Sequence, residues 1–265
     1  MRSGVKRAAR ARARARRLAR WCASAINPFS ADSSASSSSG GATRLTARCG
    51  RLGGVRTILV TGFEPFGVHP ANPTEGLAKA VDGRRVSDFA VTGVVLPVHH
   101  ADTPARLATL VAEIRPEAVL HLGLAAGRAR VAIERVAVNV MDYEVADNAG
   151  FRASGEPCIP GGPTAYFSTL PIRAIVKALV DEGIPAYVSN AAGTYLCNQT
   201  LYWTMHAVRD MARPPRVGFI HFPLLPAMVA AAGLEQPSMD FPLMLRAVET
   251  ALGVIAHGDG QSGQA

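Results

Sequence analysis

The sequence predicts an α/β fold, a mostly parallel sheet covered by helices on both faces. Two observations carry that prediction. From Thr57 onward, short β-rich apolar runs alternate with amphipathic helical segments, which is the rhythm of βαβ units. Several of these runs end in a glycine-bearing loop, as buried strands do at a sheet edge.

In chain order, Thr57 to Thr61 form the first strand, and the loop Gly62 to Gly67 carries Phe63 and Phe66. Asn72-Pro73-Thr74 lead into a helix over about 75–81 that Gly83 terminates. Residues 91–98 read as a second strand, and Thr103-Pro104 cap a helix to about Ile114, closed by Pro116. Residues 118–122 form the third strand, which runs into Gly123-Leu124-Ala125-Ala126-Gly127-Arg128, a loop without the spacing of a dinucleotide fingerprint or a Walker motif. Val131 to Val140 is an apolar strand with Glu134 and Arg135 inside it, and residues 141–167 read as an irregular Gly- and Pro-rich excursion over the site. Pro171 opens a helix to about Glu182, stopped by Gly183. Tyr187-Val188 are strand, residues 197–208 helix, and residues 216–221 the last clear strand. Phe241 to Ala256 form a closing helix with Asp240 as its cap.

The formal charge of +8 on 265 residues is unevenly placed: residues 1–56 hold 13 of the 28 Lys and Arg but 1 of the 20 Asp and Glu. The rest is net acidic, so the folded part has no electrostatic reason to seek phosphate, and nucleic acid is not the expected partner. Residues 1–21 alternate Arg and Ala and residues 30–41 are dominated by Ser, Ala and Gly, compositions that cannot bury enough apolar area to fold. A disordered extension is expected over residues 1–55 and a frayed tail at 259–265, flanking a folded domain at 56–258. Three readings of the extension stay open: a transit-type peptide, a basic nucleic-acid arm, and a gene start placed too early, with Val55 near the true one. A secretory signal is not expected, because no apolar stretch follows the arginines. No apolar run reaches the roughly 18 residues of a membrane span, so a soluble chain without a membrane partner is expected. Cys22, Cys49, Cys158 and Cys197 show no CxxC pair or His spacing that would bind zinc, and reduced thiols in a cytoplasmic setting are the simplest account.

Cys197 is the candidate nucleophile. It lies in the first turn of a helix after the small-residue turn 189–194, where the helix dipole and open backbone N–H groups favour a thiolate. Taken alone, a free cysteine is more often a small buried hydrophobe. Glu134 sits in an otherwise apolar strand, where an unpaired charge costs several kcal/mol, so it needs a partner. An internal Glu–Arg ion pair would also satisfy that need. His221 falls at the carboxyl end of its strand, on the edge shared with the loops after the other strands. Together the three supply a nucleophile, a proton carrier and an orienting acid, the parts of thiol acyl transfer. Phe63 and Phe66 are equally suited to plugging the core and to lining a pocket.

The motifs TGFEPFG with NP at 61–73, AGR and ERVAVNV within 126–140, DN with a glycine at 147–150, GPTAYFSTLPI at 162–172, SNAAGTYLCN at 189–198 and GFIHFPLLP at 218–226 resemble pyroglutamyl peptidase I, a family of cysteine peptidases, over about residues 57–257. The resemblance implies a three-layer α/β/α sandwich, a Glu134–Cys197–His221 triad, no metal or cofactor, a cytosolic homotetramer, and removal of N-terminal pyroglutamyl groups from peptides through a thioester. It implies that Phe63, Phe66, Tyr195 and Leu196 wall the lactam ring, with Leu124 beside the site. The chain departs from the family's usual pattern where a Gln becomes Leu124, a Gly becomes Ala126, a basic residue becomes Glu144, and the His after Cys-Asn becomes Gln199. These changes keep alive a divergent cysteine amidohydrolase for another cyclic or N-acyl amide. A non-catalytic ligand-binding paralogue is a further alternative.

Overall fold

The computed structural model describes residues 55–258. The expectations for the basic extension and for the tail at 259–265 fall outside those residues. In chain order the elements are β1 (Arg56–Phe63), α1 (Pro73–Val81), β2 (Arg85–Val86), β3 (Phe89–Leu96), α2 (Asp102–Ile114), β4 (Ala118–Leu124), β5 (Val131–Glu134), β6 (Val136–Val138), β7 (Met141–Asp142), β8 (Ser154–Glu156), β9 (Ala165–Phe167), α3 (Ile172–Asp181), β10 (Ala186–Ser189), α4 (Leu196–Val208), β11 (Arg216–Phe222), α5 (Pro226–Ala232) and α6 (Phe241–His257).

Seven strands form the main sheet in the order β10-β5-β11-β4-β1-β3-β2. Side chains alternate between its faces, as a period of two requires. Ile58, Val60, Leu120 and Leu122 join a core with Leu77, Ile175, Leu179 and the apolar side of α6. Leu59, Val119 and Phe219 join the opposite core with Leu107 and Leu110 of α2 and Leu201 and Tyr202 of α4. The three-layer arrangement follows from these two cores.

The strands are mostly parallel, with two antiparallel contacts, β2 with β3 and β5 with β11. The second alters the expected picture. Since β10 runs parallel to β5, both oppose β11, β4 and β1, and the turn before Cys197 does not leave the sheet edge shared by the loops after the other strands. The expected strand Val131–Val140 breaks at Arg135, whose N–H bonds Ser189 O, after which β6 pairs with β9 in a separate ribbon. The excursion at 141–167 holds the short strands β7, β8 and β9, and α5 is an element the sequence reading did not contain.

Strand β1 extends through Gly62 and Phe63, because Gly62 sits under the start of α1: a Cβ there would lie 1.9 Å from Thr74 O. Asn72 caps α1, accepting from Thr74 N and Thr74 Oγ1, and Thr74 Oγ1 in turn accepts from Phe63 N at 3.0 Å. The cap thereby anchors the end of β1. At α2 the expected Thr103 cap is absent: Thr103 Oγ1 donates to Pro97 O, and His99 Nδ1 accepts the Ala101 and Asp102 N–H groups instead. Asp240 caps α6 as expected, accepting from Leu243 N at 3.2 Å.

Candidate active site

One register row crosses five strands on the α2/α4 face: Thr61, His121, Phe219, Glu134 and Ser189 are successive cross-strand partners. Residues directly opposite in a sheet share a face, and His221 stands two residues beyond Phe219 on that same face. Glu134 and His221 therefore meet across the antiparallel β5–β11 contact rather than at a common rim of strand ends. His221 Nδ1 lies 2.8 Å from Glu134 Oε1. Glu134 is fully buried and His221 nearly so. The carboxylate can only accept, so His221 donates through Nδ1 and keeps a lone pair on Nε2.

Arg128 adds a second donor. Its Nη1 reaches Glu134 Oε1 at 2.7 Å, and its Nη2 donates to Ala191 O at 3.1 Å, joining the acid to the turn before the nucleophile. The Glu–Arg pair thus exists, but with Arg128 rather than the adjacent Arg135, and together with the histidine rather than instead of it. Burial works against the Glu134 charge, yet the hydrogen bonds from His221 and Arg128, with the Ser189 hydroxyl nearby, outweigh it and hold the carboxyl below its ordinary range. Burial likewise holds His221 below the usual imidazole value, although Glu134 pulls it back up. The pair rests as carboxylate and neutral imidazole.

Cys197 occupies the first turn of α4, where no side chain caps the helix. Its thiol contradicts the expected thiolate: burial, and then the Glu134 charge, push it up to about 12, against a smaller downward pull from Arg128. Helix-end N–H groups do not offset the loss of water around sulfur. The proton stays on sulfur until a base takes it.

Cys197 lies in a small apolar pocket, open at its mouth, with Phe63, Phe66, Val98, Tyr195 and Leu196. The four expected wall residues are therefore together. Phe66 and Tyr195 stack at 5.6 Å, and Tyr195 is braced edge-on by Tyr143 at 4.7 Å and donates to Ala146 O. Glu64 Oε1 accepts from Val98 N and Asn148 Nδ2, tying the Phe66 loop to the end of β3 and to the 141–167 excursion. Leu124 does not line the pocket; it packs with Leu224 and Met228 behind Phe66. Glu144 and Ala126 are exposed, and Gln199 is buried away from the pocket, accepting from Tyr143 Oη at 2.5 Å and donating to His100 O at 3.1 Å.

Sequence reasoning missed Val98, Arg128 and Ser189 as parts of this site. Arg128 carried one faint signal: Glu134 required a cation, and Arg128 lies six residues before it. Among the described residues, His99, His100 and Asp147 bring possible metal ligands within 4.8 Å of one another. Asp147 is already spent there, accepting from His100 N and Nδ1 through Oδ2 and from Ala149 N and Phe151 N through Oδ1. The cluster closes a loop.

The pyroglutamyl peptidase family model matches residues 56–258. The chain belongs to that family. Pyrrolidone-carboxylate peptidase of Pyrococcus furiosus is 46% identical over 200 residues, covering 74% of this chain and 96% of that protein. Pyrrolidone-carboxylate peptidase 1 of Ralstonia nicotianae is 43% identical over 196 residues, covering 74% and 91%. A crystal structure of pyrrolidone carboxyl peptidase from P. furiosus superposes with a TM-score of 0.74 at 44% identity, covering 76% of this chain and 99% of that one. As a pyroglutamyl peptidase family member, the chain has the α/β sandwich of its relatives, and among the described residues no helix is long and apolar enough to cross a membrane.

Proposed function

We propose that residues 56–258 form a cysteine exopeptidase that hydrolyses the amide bond after an N-terminal pyroglutamyl residue of peptides. The observation that carries this reading is the Glu134–His221 hydrogen bond at 2.8 Å, with a half-buried Cys197 in an apolar pocket close enough for the Glu134 charge to raise its thiol. A flat, uncharged lactam suits such walls, since it brings no ammonium to desolvate. Phe66 and Tyr195 would take its ring faces, with Phe63, Val98 and Leu196 around its edge.

In the proposed reaction, His221 Nε2 takes the thiol proton as Cys197 Sγ attacks the pyroglutamyl carbonyl. A resting neutral thiol makes this transfer part of the attack. Glu134 holds the imidazolium through Nδ1–H, and Arg128 keeps the carboxylate ionised. The uncapped N–H groups opening α4 would receive the oxyanion. His221 then protonates the departing amine, and water, deprotonated by the same imidazole, hydrolyses the thioester.

None of the departures at Leu124, Ala126, Glu144 and Gln199 lines the pocket, which favours the pyroglutamyl substrate over another amide. The cytosolic homotetramer that the resemblance implies belongs to this reading, and sedimentation velocity checks the tetramer. The direct test is turnover of a chromogenic pyroglutamyl amide by the full chain beside Cys197→Ser and His221→Ala. Activity lost in both variants supports the proposal; activity that survives Cys197→Ser contradicts it.

A further inference from the structure

The Glu134 carboxylate is used unevenly. Oε1 takes both the His221 N–H and the Arg128 N–H, while Oε2, equally cut off from water, has no hydrogen-bond partner. A buried charged oxygen without a donor is uncommon in native structures and asks for an explanation. The hydroxyl placed to serve it belongs to Ser189, the cross-strand partner of Glu134, 5% exposed and on the same face of the sheet. At rest that hydroxyl donates to Ala191 O at 3.2 Å and accepts from Ala191 N at 3.4 Å, both long for hydrogen bonds. Ser189 is nonetheless near enough to contribute to the lowering of the Glu134 carboxyl. Ala191 O does not depend on it, because Arg128 Nη2 donates to the same oxygen. Turning the hydroxyl toward Glu134 therefore leaves that carbonyl satisfied and supplies the carboxylate oxygen that lacks a donor.

We infer that Ser189 is a positioning residue for the proposed reaction: rotation about its Cα–Cβ bond carries its O–H from Ala191 O to Glu134 Oε2 as His221 becomes imidazolium. Two donors on a single oxygen leave the carboxylate plane free to twist about Cγ–Cδ. A third donor on the other oxygen fixes that plane and with it the direction of the imidazole. The inference rests on His221 being the proton acceptor, as proposed above.

The test compares the full-length chain with Ser189→Ala and Ser189→Thr on a chromogenic pyroglutamyl amide. Ser189→Ala is expected to lower kcat about tenfold, the effect of one hydrogen bond to a charged group, with KM unchanged. The acid limb of kcat/KM should move to lower pH, because a hydrogen bond made only once His221 is imidazolium stabilises that form, and without it the imidazole is harder to protonate. Ser189→Thr, which keeps the hydroxyl, should recover most of kcat. An unchanged kcat and acid limb in Ser189→Ala, or an equal loss in Ser189→Thr, would overturn the inference. Iodoacetamide alkylation of Cys197 against pH needs no substrate and separates this inference from the functional reading. A wild-type chain that fails to turn over the amide sinks that reading. Even then, a displaced alkylation profile in Ser189→Ala supports the coupling, and superposed profiles refute it.

Discussion

Gly123 lies next to the last residue of β4, opposite His221 in register, and Gly123→Ala tests how tightly that histidine is held. A Cβ at this position would stand 2.6 and 2.7 Å from the Phe219 ring and 2.9 Å from His221 Cδ2. Ordinary contact begins near 3.4 Å, so the phenylalanine must retreat by about 0.8 Å and the imidazole by about 0.5 Å. Phe219 has no spare room: it is buried between the rings of Phe63, His121 and His221. Overpacking of this kind costs about 1–3 kcal/mol. At about 2–4 °C per kcal/mol for a domain of this size, calorimetry should find the midpoint lowered by about 2–12 °C. Moving His221 also disturbs its 2.8 Å bond to Glu134, and half an ångström of misplacement is expected to lower kcat about tenfold. Activity within twofold of wild type together with an unchanged midpoint would show that Gly123 does not set the histidine's position.

Four further outcomes are expected. Because burial raises the Cys197 thiol to about 12, its alkylation by iodoacetamide should climb steadily through the alkaline range, and a plateau reached near pH 7 would mean a resting thiolate instead. Cys158, also raised to about 12 but fully buried, should react more slowly than Cys197 at every pH, as peptide mapping after timed labelling would show. His121, whose Nδ1 and Nε2 meet Thr61 and Thr204, is depressed by burial from 6.5 to about 3, so between those values the unfolded chain binds a proton that the folded one refuses. Its contribution is complete above pH 6.5 and declines as pH falls, by about 1.4 kcal/mol per unit, and denaturant melts should show a flatter acid slope in His121→Gln. Phe66→Ala removes one ring of the Phe66–Tyr195 stack and should raise KM about tenfold with a smaller change in kcat, whereas an unaltered KM would remove Phe66 from the binding wall.

The alternation of apolar runs and helices was legible because each is a local pattern, and so was the strand–turn–helix that ends at Cys197. Strand direction is not local. Nothing in Val131 to Glu134 says that this run opposes β11, and the reversal is what makes Glu134 and His221 diagonal neighbours across a ladder. Arg128 was hidden for a related reason, since its partner is set by how the loop after β4 folds back and not by any periodicity. Leu124 was misplaced because a strand-end residue and a loop residue look alike in sequence; two further residues of strand turn it behind Phe66, among Leu224 and Met228. The thiol's resting state failed differently. Position in a helix's first turn is readable from sequence, but the desolvation that dominates there depends on Phe63, Val98 and Tyr195, which arrive from distant segments.

The central claim is that Cys197 is the atom that attacks, within a site completed by His221 and Glu134. The most direct measurement is peptide-level mass spectrometry after inactivation by a pyroglutamyl chloromethyl ketone, with residual activity followed in the same samples. The account predicts one adduct per chain, on Cys197, accumulating in step with lost turnover and absent from His221→Ala over the same interval. Labelling of Cys158 or another residue in step with inactivation, or full inactivation with Cys197 unmodified, would contradict it.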